Sequence, residues 1–204
     1  DDIGFHPNMK AKHIDKILKG MYKNWDSKVF FEYFDRMDLP RNKRIKDYSR
    51  GMQMKLQIAT ALSHHAKLLI MDEPTGGLDP VVRNEILDVF MDFIQDSEHT
   101  VFLSSHIITD LERIADNIVF IHKGKILLAE EKDSIAMRHG ILKCSEADFE
   151  RVDKEDVIGY RRSTFGIEAL VGDLTMCQEK YKGMLCEKTT LEEIMLFYVN
   201  NTGK

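Results

Sequence analysis

Leu68-Leu69-Ile70-Met71-Asp72-Glu73-Pro74-Thr75-Gly76-Gly77-Leu78-Asp79-Pro80 is the stretch that decides how the rest of the chain is read. Four consecutive apolar residues ending in two acids and a proline have the form of a buried parallel strand leaving its sheet. The carboxyl end of such a strand is where open α/β sheets bind ligands. Successive strand residues point in different directions, so Asp72 and Glu73 can hold separate roles. One can support Mg²⁺, directly or through water, while the other orients and polarises a water that attacks a phosphoryl group. Such a pair also serves as a helix cap or a solvated turn, and by itself it does not choose between these readings. Asp79-Pro80 then starts a helix. Proline fits the first turn, where its missing N–H is not needed, and Val82, Ile86, Val89, Phe90 and Phe93 form the inward stripe.

Upstream, residues 9–37 carry apolar side chains at helical spacing: Ile14, Ile17, Leu18 and Met21, then Val29, Phe30, Tyr33, Phe34 and Met37. Asp26 or Ser27 is placed to cap the second of these helices. Pro40 and the basic residues 41–46 interrupt the pattern, after which Ser49 can cap a helix striped by Leu56, Ala59 and Leu62. Downstream, residues 100–104 read as a second buried strand, 107–115 as a helix and 117–121 as a third strand. Lys123-Gly124 turns the chain into 125–128. Strand, helix, strand, helix, strand with short loops is the rhythm of a parallel α/β sheet. Beyond Ala129 the pattern weakens. Residues 130–139 read as helical, 140–189 mix short β-like pieces with acidic loops, and 190–199 form a closing amphipathic helix with a capping box from Thr190 to Glu193.

The 204 residues are 43% hydrophobic and 31% charged, a balance that excludes disordered and fibrous classes. No run approaches the roughly 18 to 20 apolar residues of a membrane-spanning helix. The formal charge of −5 is unevenly split: residues 1–67 hold 14 Lys+Arg against 8 Asp+Glu, and the remainder holds 15 against 26. The basic lysines of the first third are scattered among apolar helical positions without an aromatic-interleaved Arg patch, so a solvated helix face is favoured over nucleic-acid contact. Cys144, Cys177 and Cys186 are odd in number and widely spaced, with neither the CxxC pair of a zinc site nor a disulfide framework. A reducing cytosol is the simpler setting.

Three further features fall in order around the opening stretch. Tyr48-Ser49-Arg50-Gly51-Met52 opens a helix before it, and Ser104-Ser105-His106 follows it after about one helix and one strand. In this order the sequence resembles the nucleotide-binding domain of ATP-binding-cassette proteins over residues 45–128. The resemblance implies an α/β P-loop NTPase fold: a helical subdomain with the signature helix over 1–66, the later half of the ATPase core over 67–129, and a small C-terminal α+β extension over 130–204. It implies ATP and Mg²⁺ as cofactors, with Asp72 as the Walker B aspartate that supports the metal and Glu73 as the carboxylate for water attack on the γ-phosphate. His106 resembles the switch histidine that contacts the γ-phosphate, and Asp79 the D-loop residue that communicates between paired subunits. Ser49, Arg50, Gly51 and Met52 resemble the signature usually written LSGGQ, which faces ATP bound to the opposite subunit. The Ser49 hydroxyl, the close backbone approach at Gly51 and the positive helix end make an anion site. Arg50 stands in place of the first glycine and Met52 in place of the glutamine, a variant similar to that of bacterial exporters whose ATPase and membrane subunits are separate chains. Arg50 either adds charge toward phosphate or is a solvent-facing neighbour of the cap.

The family's phosphate cradle, GxxxxGK[ST], occurs nowhere in these residues, and the Q-loop glutamine is absent, its position falling near Asp1 or Asp2. The resemblance therefore implies an ATPase subunit without its amino-terminal portion. From this follow the expectations that the chain alone binds ATP weakly and hydrolyses it negligibly, and that strands from that portion cover the apolar residues of 68–71 and 101–103. The leading functional expectation is the ATP-hydrolysing subunit of a transporter. It would lie at the cytoplasmic face of the membrane, pair with a second nucleotide-binding subunit, and dock a membrane subunit through residues 3–47. Within that region Trp25, Phe30, Phe31, Tyr33 and Phe34 belong either to the docking surface or to the subdomain core. A soluble cassette ATPase acting on chromosomes or ribosomes is a second class, though no long heptad coiled coil is present. A noncatalytic interaction module centred on 130–204 is a third. Transport cargo is not written in this chain.

Overall fold

Side-chain caps fix where the helices of the first half begin. The computed structural model describes residues 4–164 and 166–201, so the position assigned to the Q-loop near Asp1 or Asp2 lies outside the described residues. Helix α1 spans Ala11–Met21 and α2 spans Ser27–Arg36, the latter capped by the Asp26 carboxylate, which accepts from the Lys28 and Val29 amides at 2.8 and 3.1 Å. The Ser49 hydroxyl accepts from the Met52 amide to start α3, Arg50–Leu62. Asp79 accepts from the Val81 and Val82 amides to start α4, Pro80–Phe93. Each cap contributes about 1 kcal/mol.

Two compact units divide at Ile107/Ile108, so the segment 67–129 expected as one piece is shared between them. In the first unit Ile14, Phe30, Phe34, Leu56, Ile58, Ile86 and Phe90 are fully buried. Phe30 and Phe34 are thus core residues, whereas Trp25, Phe31 and Tyr33 are half-buried. The nearly buried Lys55 donates to the Met37 carbonyl at 3.0 Å and pairs with Glu85 at 2.6 Å, tying the end of α2 to α3 and α4. Strands β1, Leu68–Asp72, and β2, Thr100–Ser104, pair in parallel from Leu68↔Thr100 to Asp72↔Ser104. β1, expected as a buried strand, is buried on one face. Leu69 is buried, but Leu68, Ile70 and Phe102 on the opposite face are 51%, 70% and 64% exposed. The parallel ladder consists of these two strands among the described residues.

In the second unit α5, Ile108–Ile114, leads to β3, Asn117–His122, and β4, Lys125–Glu131. The expected third parallel strand pairs antiparallel with β4. Lys123 and Gly124 both have positive φ, 48° and 74°, the two-residue turn geometry that matches strand twist and closes a hairpin locally. Helix α6, Lys132–Arg138, precedes a module that the sequence did not reveal. It comprises β5 (Gly140–Cys144), α7 (Glu146–Phe149), β6 (Val157–Ser163), β7 (Gly166–Val171), α8 (Leu174–Lys180) and β8 (Leu185–Lys188). The strands lie in the order β6-β7-β5-β8, all antiparallel, which is the ferredoxin-like split βαβ arrangement. Its sheet is buried on both faces. Leu142 and its cross-strand partner Ala169 join Phe149, Val152 and Cys177 in one core, while Ile141 and its partner Leu170 join Ile118, Leu128 and Phe197 in another. The closing helix α9, Leu191–Asn201, starts with the Thr190 hydroxyl accepting from the Glu193 amide at 3.2 Å. Arg161 of β6 pairs with Glu168 and with Glu193 of α9 and lies over the Phe197 ring. All three cysteines are free thiols.

Candidate functional site

Because β1 and β2 run parallel and in register, their polar ends arrive side by side. Asp72 stands opposite Ser104, whose hydroxyl donates to Asp72 Oδ1 at 2.5 Å. The same residue receives the next amide along the chain: the Glu73 N–H donates to the Ser104 carbonyl at 3.2 Å and to its hydroxyl oxygen at 3.0 Å. Ser104 therefore ties both acids to β2. Sequence reading placed Ser104 beside the histidine without giving it a role, although the matching lengths of two strands that end in polar residues were a signal for it.

Glu73 leaves the strand with φ of 47°, a left-handed conformation that L residues with long side chains rarely adopt. Strain of this kind, of order 1–3 kcal/mol, persists only where the surroundings over-determine it. Here the backbone is pinned by Ser104 on one side and by the Gly76 amide, which donates to the Glu73 carbonyl at 3.0 Å, on the other. The bend turns the Glu73 side chain toward the segment after β2, where Oε2 lies 2.7 Å from His106 Nδ1. The structure thus brings Asp72, Glu73 and His106 together through Ser104. The Glu73 side chain is 38% exposed and that of His106 is 73% exposed, leaving the group open to a ligand.

The four residues at the start of α3 are placed by the cap. Ser49 is exposed, Met52 half-buried and Gly51 buried against α4, where a Cβ on Gly51 would stand 2.8 Å from Val82 Cγ1. Arg50 is exposed, but its guanidinium covers Gly77: a Cβ there would meet Nη1 at 2.6 Å. Asp79 spends its carboxylate on capping α4. Among the described residues no group of three or more His, Cys, Asp or Glu side chains forms a cage for a metal ion.

Residues 4–76 match the family model described as ABC transporter. The chain is 34% identical over 129 residues to the bacitracin transport ATP-binding protein BcrA of Bacillus licheniformis, covering 61% of this chain and 41% of that one. It is 28% identical over 210 residues to the ABC transporter ATP-binding protein YhaQ of Bacillus subtilis (strain 168), covering 95% of this chain and 69% of that protein. The chain spans 29–45% of the length of several curated relatives that it matches. Among solved structures, the dimeric structure of MJ0796, a bacterial ABC transporter cassette, superposes with a TM-score of 0.55 at 22% identity, covering 63% of this chain and 59% of the other. The fold is that of the α/β P-loop NTPase cassettes, and the sequence is similar to ATP-binding proteins of ABC transporters.

Proposed function

We propose, from the match of residues 4–76 to the ABC transporter family model, that the chain forms part of a subunit that binds and hydrolyses ATP to power transport through a separate membrane subunit, paired with a second nucleotide-binding subunit. The observation that carries this reading is the placement of Asp72, Glu73 and His106 at the carboxyl ends of two parallel strands, joined by Ser104. That is the position where α/β sheets of this type hold their ligands.

Each residue has a role that its geometry supports. Asp72 uses one carboxylate oxygen on Ser104 and keeps the other for a hard cation, directly or through water. One carboxylate suits Mg²⁺, which retains waters and takes further oxygens from nucleotide phosphates. When bound, such a cation would neutralise charge that develops on the transferred phosphoryl group. Glu73 has Oε2 on His106 and Oε1 for a water, and its pinned backbone holds that oxygen in one direction. It orients the water and draws on its proton as the nucleophile attacks. His106, mostly exposed beyond Glu73, offers its second ring nitrogen to the γ-phosphate. Ser49 and the amides at the start of α3 form the anion site offered to nucleotide held by the opposite subunit, and Asp79 stands at the same subunit boundary. The GxxxxGK[ST] cradle is not among these 204 residues, and none of the roles given above supplies the main grip on phosphate. A place at the cytoplasmic face of the membrane belongs to the same reading. Among the described residues no helix is long and apolar enough to cross a membrane.

The test is ATP turnover by the full-length protein with Glu73→Gln. Loss of the carboxylate is expected to lower turnover at least about 100-fold, roughly 2.7 kcal/mol in the barrier, while ATP affinity changes by less than about threefold. Near-normal hydrolysis in this variant would remove Glu73 from its role.

A further inference from the structure

We propose that Arg50 is a positioning residue: its guanidinium braces the turn of residues 73–77 and so fixes the Glu73 carboxylate from the start of α3 in the same chain. The significance for turnover rests on the ATPase reading above; the brace itself does not.

Four observations lead to it. First, Arg50 is the opening residue of α3, where a cation opposes the helix dipole, and among the described residues it has no hydrogen-bond or ion-pair partner. Within this chain no ion pair accounts for its placement, and its close neighbour is the backbone of Gly77. Second, a Cβ on Gly77 would lie 2.6 Å from Nη1, 3.2 Å from Cζ and 3.7 Å from Nη2, so the planar group lies across Gly77. Gly77 has φ of 67°, and only glycine combines that backbone with room for the guanidinium. Third, the adjoining Gly76 is buried against Glu73: a Cβ there would lie 3.3 Å from the Glu73 carbonyl oxygen and 3.5 Å from both Cβ and Oε2. Arg50 thus closes over Gly77, and the adjoining Gly76 leaves no room for a side chain beside Glu73. Fourth, Glu73 is held at a strained φ, so its direction depends on the turn that follows it. The pair of close approaches, Arg50 on Gly77 and Gly51 on Val82, also keeps the signature helix in fixed register with the loop that leads to α4.

The brace is tested by amide hydrogen exchange on the 204-residue chain. The Gly76 amide donates to Glu73 O and the Leu78 amide to Thr75 O. Arg50→Ala is expected to accelerate exchange at both by about tenfold while leaving the interiors of α3 and α4 unchanged. Unaltered exchange at Gly76 would overturn the brace. Arg50→Lys keeps the charge but lacks the planar group, so the same acceleration is expected; full protection in that variant would assign the effect to charge and overturn the packing account. In the full-length protein Arg50→Ala should lower kcat about tenfold with KM for ATP within about twofold, the split of a group that acts on the reacting arrangement rather than on affinity. Accelerated exchange with unchanged kcat would overturn the positioning role. Absence of turnover in the unaltered protein would overturn the ATPase reading and that role together, with the brace still decided by exchange.

Discussion

Gly51→Ala tests the packing between α3 and α4. Two effects oppose each other. Alanine in a helix is favoured over glycine by up to about 1 kcal/mol. Against this, the new methyl would stand 2.8 Å from Val82 Cγ1, whereas carbon atoms pack comfortably at roughly 3.5–4.0 Å. Val82 is half-buried and must retreat by about 0.7 Å, an overpacking cost of about 2 kcal/mol. The net expectation is a loss of about 1 kcal/mol. Val82→Ala alone removes two half-buried methyl groups and should also cost about 1 kcal/mol. Combined, the clash disappears and the helix gain remains, so the double variant should lie near the parent, a coupling of about 2 kcal/mol. Urea unfolding followed by fluorescence isolates the relevant unit, because the single tryptophan, Trp25, lies in the first one, with its indole N–H on Asp15 at 2.9 Å. At an ordinary urea dependence, 1 kcal/mol moves the midpoint by about 0.5 M. A Gly51→Ala midpoint at or above that of the parent, with additive behaviour in the double variant, would refute the reasoning.

Four further outcomes are expected. Calorimetry on residues 1–204 should show only weak Mg²⁺-dependent ATP binding; tight binding would show that the phosphate grip lies within them. Sedimentation should show self-association in the micromolar range, driven by the exposed face of Leu68, Ile70 and Phe102, with Ile70→Lys reducing it; a strictly monomeric parent would count against that face as the cause. His106→Ala in the full-length protein should lower turnover at least about 100-fold, and retained turnover would leave its bond to Glu73 without consequence. Finally, burial holds His139 below the ordinary imidazole value, with Nδ1 on the Ile135 carbonyl, Nε2 on the Tyr198 hydroxyl, and Arg138 and Glu130 as its charged neighbours. The unfolded chain takes up this proton first, so the stability contributed by neutral His139 is complete above about pH 6.5 and lost as pH falls through the folded value, at up to about 1.4 kcal/mol per pH unit. Asp153 and Asp156, held low chiefly by the Glu155 amide and by Lys180 respectively, act only below about pH 4 and leave that window clear. His139→Gln should flatten the dependence between pH 7 and pH 5; an unchanged slope would exclude the histidine as its source.

What the sequence made legible follows from how locally each feature is determined. Asp26, Ser49 and Asp79 cap the helices they were expected to cap, because a cap needs only its own next three residues. Both strands of the parallel pair follow from apolar runs that end in polar residues, whereas the approach of Glu73 to His106 depends on a left-handed backbone bend that side-chain pattern does not mark. The pairing of β3 with β4 was obscured because a strand pattern does not specify its neighbour. The sheet over residues 140–188 escaped because Ile141-Leu142 and Ala169-Leu170 are buried on both faces, which removes the alternation that marks a half-exposed strand. The burial of Lys55 was not legible, since its acceptor, the Met37 carbonyl, lies at a different helix end and carries no signal in side-chain sequence.

The left-handed backbone at Glu73 has a consequence for how this position can change over time. Glycine, or to a lesser degree asparagine, fits that conformation with less strain than glutamate, so loss of the acid by such a replacement would relax the turn by about 1 kcal/mol. Mutational drift at this codon then has a downhill direction in folding free energy, and retention of the acid requires steady purifying selection on what it does. A copy of the gene relieved of that selection should accumulate Gly or Asn at residue 73 before the surrounding core begins to erode.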